Sequence, residues 1–126
     1  MAFYLEKKKT KSTPYILIDE AKNYMKIDGD SFPEFAVEFY REVNDWLGDY
    51  LETDFKLFTF DCALKYINSS STKILFDILA LLDENIAEDK KIIINCFVDS
   101  NDHMMTELYE DIRDELENIK INLLNT

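Results

Sequence analysis

The densest run of chemically active side chains is Asn68-Ser69-Ser70-Ser71-Thr72, an amide followed by four consecutive hydroxyls. An apolar strand-like run precedes it and the most apolar helical stretch of the chain follows, so the hydroxyls fall at a helix start. Ser, Thr and Asn at such a position accept hydrogen bonds from amides that lack an intrahelical partner, a contribution of about 1 kcal/mol. A helix has one N-cap, so capping explains one of the four hydroxyls and leaves the others in the turn or hydrogen-bonded nearby. A phosphoryl group here would meet free amides and the positive end of the helix dipole, with Lys65 and Lys73 close in sequence. It would add about −1.5 to −2 charge, enough to reverse a docking surface that faces carboxylates or an apolar patch. Ordinary capping and a phosphoswitch both stand open on these residues alone.

No other segment carries an enzyme's signature. The two glycines, Gly29 and Gly48, supply neither a GxxxxGK nor a GxGxxG loop in which backbone amides could cradle phosphate. His103 is the one histidine and has no HxxxH or HExxH partner, so it reads as a surface residue near a helix start. Cys62 and Cys96 lie far apart in apolar runs without CxxC spacing and read as buried, reduced thiols. Carboxylates are abundant, but general acid or base catalysis needs a particular cleft, and no pair is singled out. The expectation is a protein with no active site, no cofactor and no metal.

The chain has 126 residues, with 26 acids against 14 bases and a formal charge of −12. That length predicts one domain. At 47% hydrophobic and 13% aromatic, with 2 Gly and 2 Pro, it can bury a sizeable core, which excludes a disordered acidic tail. A pI of about 4.4 means a surface that repels phosphate backbones and anionic lipid, so neither nucleic acid nor membrane is an expected partner. The apolar runs at residues 78–82 and 92–94 fall far short of a membrane span, and the N-terminus lacks a secretory signal. A cytosolic protein is the expectation.

The elements that must position the hydroxyls follow from periodicity. Residues 1–12, with Lys7, Lys8, Lys9 and Lys11 against Glu6, read as a flexible basic arm ahead of a domain at 13–126. Residues 15–18 and 24–27 read as an antiparallel hairpin. Asp28-Gly29-Asp30 then breaks the strand, and Ser31-Phe32-Pro33-Glu34 predicts a capping box that opens a helix running to about Leu51. Ala36, Phe39, Val43, Trp46 or Leu47, and Tyr50 form its apolar stripe. Residues 55–62 read as a central strand covered on both faces, and about 71–86 as the most buried helix. A strand at 92–98, an acidic helix striped by Met105, Leu108, Ile112 and Leu116, and a short strand at 119–124 complete the chain. The order β-β-α-β-α-β-α-β predicts an α/β fold, a mixed sheet with helices packed on it.

Gly29-x-Ser31-x-Pro33-Glu34 ahead of an aromatic helix with Trp46, and Tyr66-x-Asn68-Ser69-Ser70-Ser71-x-Lys73 ahead of the apolar helix, together resemble the SiaC family of bacterial regulatory phosphoproteins. The resemblance spans about residues 13–126. It implies a fold related to the STAS domains of anti-anti-sigma factors, with a phosphorylatable hydroxyl at the start of the helix after a central strand. It further implies a partner serine/threonine kinase, a metal-dependent phosphatase, and an unphosphorylated form that binds and activates a diguanylate cyclase. Carried over by position, the phosphoacceptor is Ser69, with Ser70, Ser71 and Thr72 as neighbouring candidates, and Gly29, Ser31, Pro33, Glu34, Tyr66, Asn68 and Lys73 are the motif residues expected at the partner-binding surface. One segment departs from the family pattern: where an acidic run enters the last helix, this chain has Met104 in place of an acid and Tyr109 in place of Gly.

The leading expectation is therefore a non-catalytic switch whose unmodified form docks on an effector. The alternative is an acidic inhibitor or immunity-like protein that blocks a basic partner through the helix at residues 99–117.

Overall fold

Alternation of buried and solvent-facing residues runs along every long strand, and in the computed structural model, which describes residues 2–126, it builds one six-stranded sheet. Strands β1 (Tyr4–Lys7), β2 (Tyr15–Asp19) and β3 (Tyr24–Ser31) form an antiparallel meander. Strands β4 (Leu57–Ile67), β5 (Lys91–Val98) and β6 (Ile121–Asn125) continue it in parallel, so spatial order equals chain order. Helices α1 (Ala36–Phe39) and α2 (Arg41–Tyr50) link β3 to β4, while α3 (Ser69–Glu84) and α4 (His103–Glu115) make the next two crossovers. The predicted class, a mixed sheet with helices packed on it, is the one observed.

Ile18, Met25, Phe60, Ile94 and Ile121 stand in one cross-strand row, all buried. Each such side chain contributes roughly 1.5–3 kcal/mol on leaving water. Trp46 and Tyr50 of α2, Ile78 and Leu79 of α3, and Tyr109 of α4 join the same core, which places all three helices on one face. No helix among the described residues is long and apolar enough to cross a membrane.

Five expectations are corrected. The basic arm contains strand β1: Tyr4↔Asp19 to Lys7↔Ile16 pair along the edge of β2, and Phe3 stacks on Trp46 at 6.1 Å. Lys7 donates to the Phe39 carbonyl at 3.4 Å, lies 3.4 Å from Glu42 and sits 4.7 Å over the Phe39 ring, so one cation fixes the strand to α1 and α2. Asp28-Gly29-Asp30 does not break β3. Gly29 adopts φ +117°, which L side chains rarely reach, and absorbs a register shift against β4 that lets the strand run on to Ser31.

Ser31 is consequently a strand residue and not a cap. Helix α1 begins five residues later behind Phe35, which makes no side-chain cap, and the chain turns again at Tyr40 before α2. The predicted long helix is thus two. Finally, β4 is central but covered on one face only. On the other face Tyr24 donates to Asp61 at 2.7 Å, Asn95 to Asp61 at 2.9 Å and Asn122 to Asn95 at 3.0 Å, a polar ladder that solvent can reach.

Candidate functional site

Helix α3 starts at Ser69, two residues earlier than its apolar pattern alone suggests, because Asn68 is its cap. The Asn68 side-chain oxygen accepts from the Ser71 amide at 2.9 Å. An amide, not a hydroxyl, therefore does the capping, and each of the four hydroxyls has its own fate. Thr72 is half-buried and donates back to the Asn68 carbonyl at 2.9 Å. Ser71 is 2% exposed and faces the interior, so this neighbouring candidate is sealed from any enzyme. Ser69 and Ser70 stand exposed in the first turn.

The buried end of the turn is tied down by three hydroxyls from three elements. Ser31 Oγ donates to Ser71 Oγ at 2.9 Å, and Tyr40 Oη lies 2.6 Å from Ser31 Oγ. Serine has one proton, which here goes to Ser71, so Tyr40 is the donor to Ser31. Burial pushes the Tyr40 hydroxyl up to about 12, keeping the donor protonated across the physiological range. The Asn68 amide also donates to the Ser31 carbonyl at 3.1 Å. Ser31 and Asn68 thus meet at the end of the β3–β4 pair.

The exposed end of the turn borders apolar surface. Phe32 packs edge-to-face on Tyr66 at 5.3 Å, and Phe35, Val37 and Tyr66 are each more than half exposed, at 68%, 68% and 56%. A shallow groove of about 330 Å³ is lined by Phe35, Val37, Arg41 and Ser70 among others, so the hydroxyl turn and the patch share one surface. Phe35 and Val37, two large exposed apolar side chains in one groove, form the kind of surface that marks interaction sites. Sequence periodicity missed Phe35 and Val37 because they lie off the buried stripe; an aromatic and a valine pointing away from that stripe were the available signal.

The remaining motif residues take supporting places. Gly29 is buried at the bulge and Pro33 in the loop before α1, while Glu34 is exposed and caps nothing. Lys73 pairs with Asp77 one turn along the helix at 3.3 Å, and Lys65 is exposed near the end of β4. His103 is an exposed residue at the start of α4. Cys62 and Cys96 face each other across β4 and β5, buried and free. Of the two residues that set the last helix apart in the sequence, Met104 is exposed, while Tyr109 is fully buried and its hydroxyl accepts from the Leu64 amide at 3.2 Å.

The fold and site define a two-layer α/β domain that presents a hydroxyl-lined helix start beside exposed apolar side chains. The model of the SiaC family of regulatory phosphoproteins matches residues 7–126, and the chain belongs to that family. It is 32% identical over 106 residues to an uncharacterised protein of Pseudomonas aeruginosa, covering 84% of each chain. It is similar to SiaC of Pseudomonas aeruginosa, with a TM-score of 0.88 at 28% identity, covering 98% of this chain and 99% of that one. The SiaC chain in a crystal structure of the diguanylate cyclase SiaD in complex with its activator SiaC, also from Pseudomonas aeruginosa, matches with a TM-score of 0.89 at 29% identity over 97% of this chain and 99% of that one.

Proposed function

We propose that this protein is a phosphorylation-controlled switch: its unmodified form docks on and activates a diguanylate cyclase, and modification of Ser69 releases the cyclase. The observation that carries the reading is the pair of exposed hydroxyls, Ser69 and Ser70, at a helix start that borders the Phe35 and Val37 patch. An apolar patch favours docking by excluding water, and a phosphoryl group at its rim brings a hydration shell that opposes that exclusion. The amides of the first turn of α3 favour the modified state locally. The structural likeness to an activator of a diguanylate cyclase supports the choice of effector. A serine/threonine kinase and a metal-dependent phosphatase set the state of the switch, and the reading places all of them in the cytoplasm.

Two measurements test it. Phosphopeptide mass spectrometry after co-expression with the cognate kinase is expected to find the modification on Ser69 and to lose it in Ser69→Ala. Modification confined to residues outside 69–72 overturns the site. In a pull-down with the cognate cyclase, Ser69→Asp is expected to weaken binding at least tenfold relative to wild type. Unchanged binding points instead to an electrostatic blocker acting through the acidic face of α4.

A further inference from the structure

The hydroxyl turn and the apolar patch lie on different elements, and one buried hydrogen-bond chain joins them. Tyr40 sits at the junction between α1 and α2, Ser31 at the end of β3, and Ser71 in the first turn of α3. Their exposures are 3%, 0% and 2%, so solvent cannot substitute for any partner that is lost. The proton order Tyr40 to Ser31 to Ser71 is fixed by the single proton on Ser31. Chains of this kind in a low-dielectric interior act as a unit, because removing one member orphans its neighbour.

We propose that the Tyr40–Ser31–Ser71 hydroxyl chain is the coupling device of the switch, in which Tyr40 and Ser31 are positioning residues that hold α1 and the first turn of α3 in one fixed arrangement. This rests on the functional reading above and supplies its regulation. Helix α1 has four residues and no side-chain cap, so its own hydrogen bonds hold it weakly. Its orientation depends on what anchors its C-terminal end: Lys7 holds the Phe39 carbonyl from the solvent side, and Tyr40 ties the end into the buried chain. The Tyr40 ring also packs edge-to-face on Phe39 at 4.9 Å, the ring that carries Lys7 above it. A phosphoryl group on Ser69 or Ser70 recruits the free amides of the turn whose third residue is Ser71; the chain passes the resulting shift of that turn to Tyr40 and so to Phe35 and Val37. The motif spacing has the same basis: Ser31 and Ser71 belong to the two family motifs and bond to each other, forty residues apart.

Amide hydrogen exchange on the full-length protein, read by mass spectrometry, tests this without any partner. Tyr40→Phe removes one hydroxyl and keeps the ring. It is expected to speed exchange at least tenfold at residues 70–73 as well as at 36–41, with residues 103–115 of α4 unchanged. Ser71→Ala is expected to produce the reciprocal effect at 36–41, and Ser71→Thr, which keeps a hydroxyl, to restore it at least in part. Ser69→Asp is expected to alter exchange at 36–41 in the wild-type background and to lose that effect on Tyr40→Phe.

Changes confined to the segment that carries each substitution overturn the proposal, as does a uniform rise that includes α4. If Tyr40→Phe does not fold, the comparison of Ser71→Ala with Ser71→Thr decides alone. The functional reading fails separately, through a Ser69 that the kinase leaves unmodified, and that outcome does not touch the exchange pattern.

Discussion

At the scale of single residues, the hydroxyl run divides its labour in a way that spacing could not reveal. Asn68 does the capping, Thr72 bonds backwards and Ser71 bonds inwards, so exposure is reserved for Ser69 and Ser70. Asn68→Ala is expected to destabilise the fold by about 1 kcal/mol, read as a lower urea midpoint, because it orphans the Ser71 amide. Tyr40 makes stability depend on alkaline pH. Its hydroxyl is raised from 10.0 to about 12 by burial. Below pH 10 folded and unfolded chains both keep the proton and the contribution is whole; above it the unfolded chain ionises first and stability falls as pH approaches 12. The expected slope in that window is up to about 1.4 kcal/mol per pH unit for this group. Urea unfolding followed by Trp46 fluorescence should show a decline between pH 10 and about 11.5 that is shallower in Tyr40→Phe.

At the scale of elements, two attachments decide the outline of the sheet. Strand β1 covers the edge of β2, and Leu5 packs against the core while Lys7 reaches Phe39 and Glu42. Deleting residues 1–8 removes four cross-strand pairs and these contacts, for an expected loss of roughly 1–3 kcal/mol with a shift in Trp46 emission as Phe3 leaves its ring. A truncated chain as stable as the full one would restore the flexible arm. The last crossover depends on Asp83, buried near the end of α3, whose carboxylate accepts from the amides of Asn118 and Ile119 at 2.8 Å and of Glu117 at 3.3 Å. Asp83→Ala leaves those amides without their acceptor and is expected to cost about 3 kcal/mol in urea unfolding. Asp83→Asn, which keeps one acceptor oxygen, should cost less.

At the scale of the whole molecule, charge is the governing feature. A formal charge of −12 repels itself, and among the described residues the ion pairs are four, all between partly or largely exposed side chains. Such pairs contribute little each, so net repulsion dominates. Raising sodium chloride from 10 mM to 500 mM is expected to raise the thermal midpoint by screening it, and a fall would mean that pairing dominates instead. The residues at 68–72 contain no carboxylate. A phosphoryl group there adds its charge to that of Glu34 and Glu38, which line the groove beside Ser70, and so turns the rim of the apolar patch more strongly acidic.

The sequence by itself determined the α/β class, the hairpin, the three crossover helices in outline, the buried cysteines and the place of the hydroxyl turn. Each of these depends on periodicity, composition or residue type within a short window, where local sterics and the need to bury apolar faces suffice. Only the tertiary structure decided that Ser31 ends a strand instead of capping a helix, because the deciding partners, Asn68, Ser71 and Tyr40, lie up to forty residues away. The same holds for β1, whose fate depended on an unpaired edge of β2 that its own basic composition does not encode. It also holds for the open face of β4, where Asp61 finds Tyr24 and Asn95 only once three strands are assembled. Which hydroxyls face outwards is likewise a property of packing: Ser69, Ser70 and Ser71 are one residue type in a row, and only the helix's angle against β3 and α1 tells them apart.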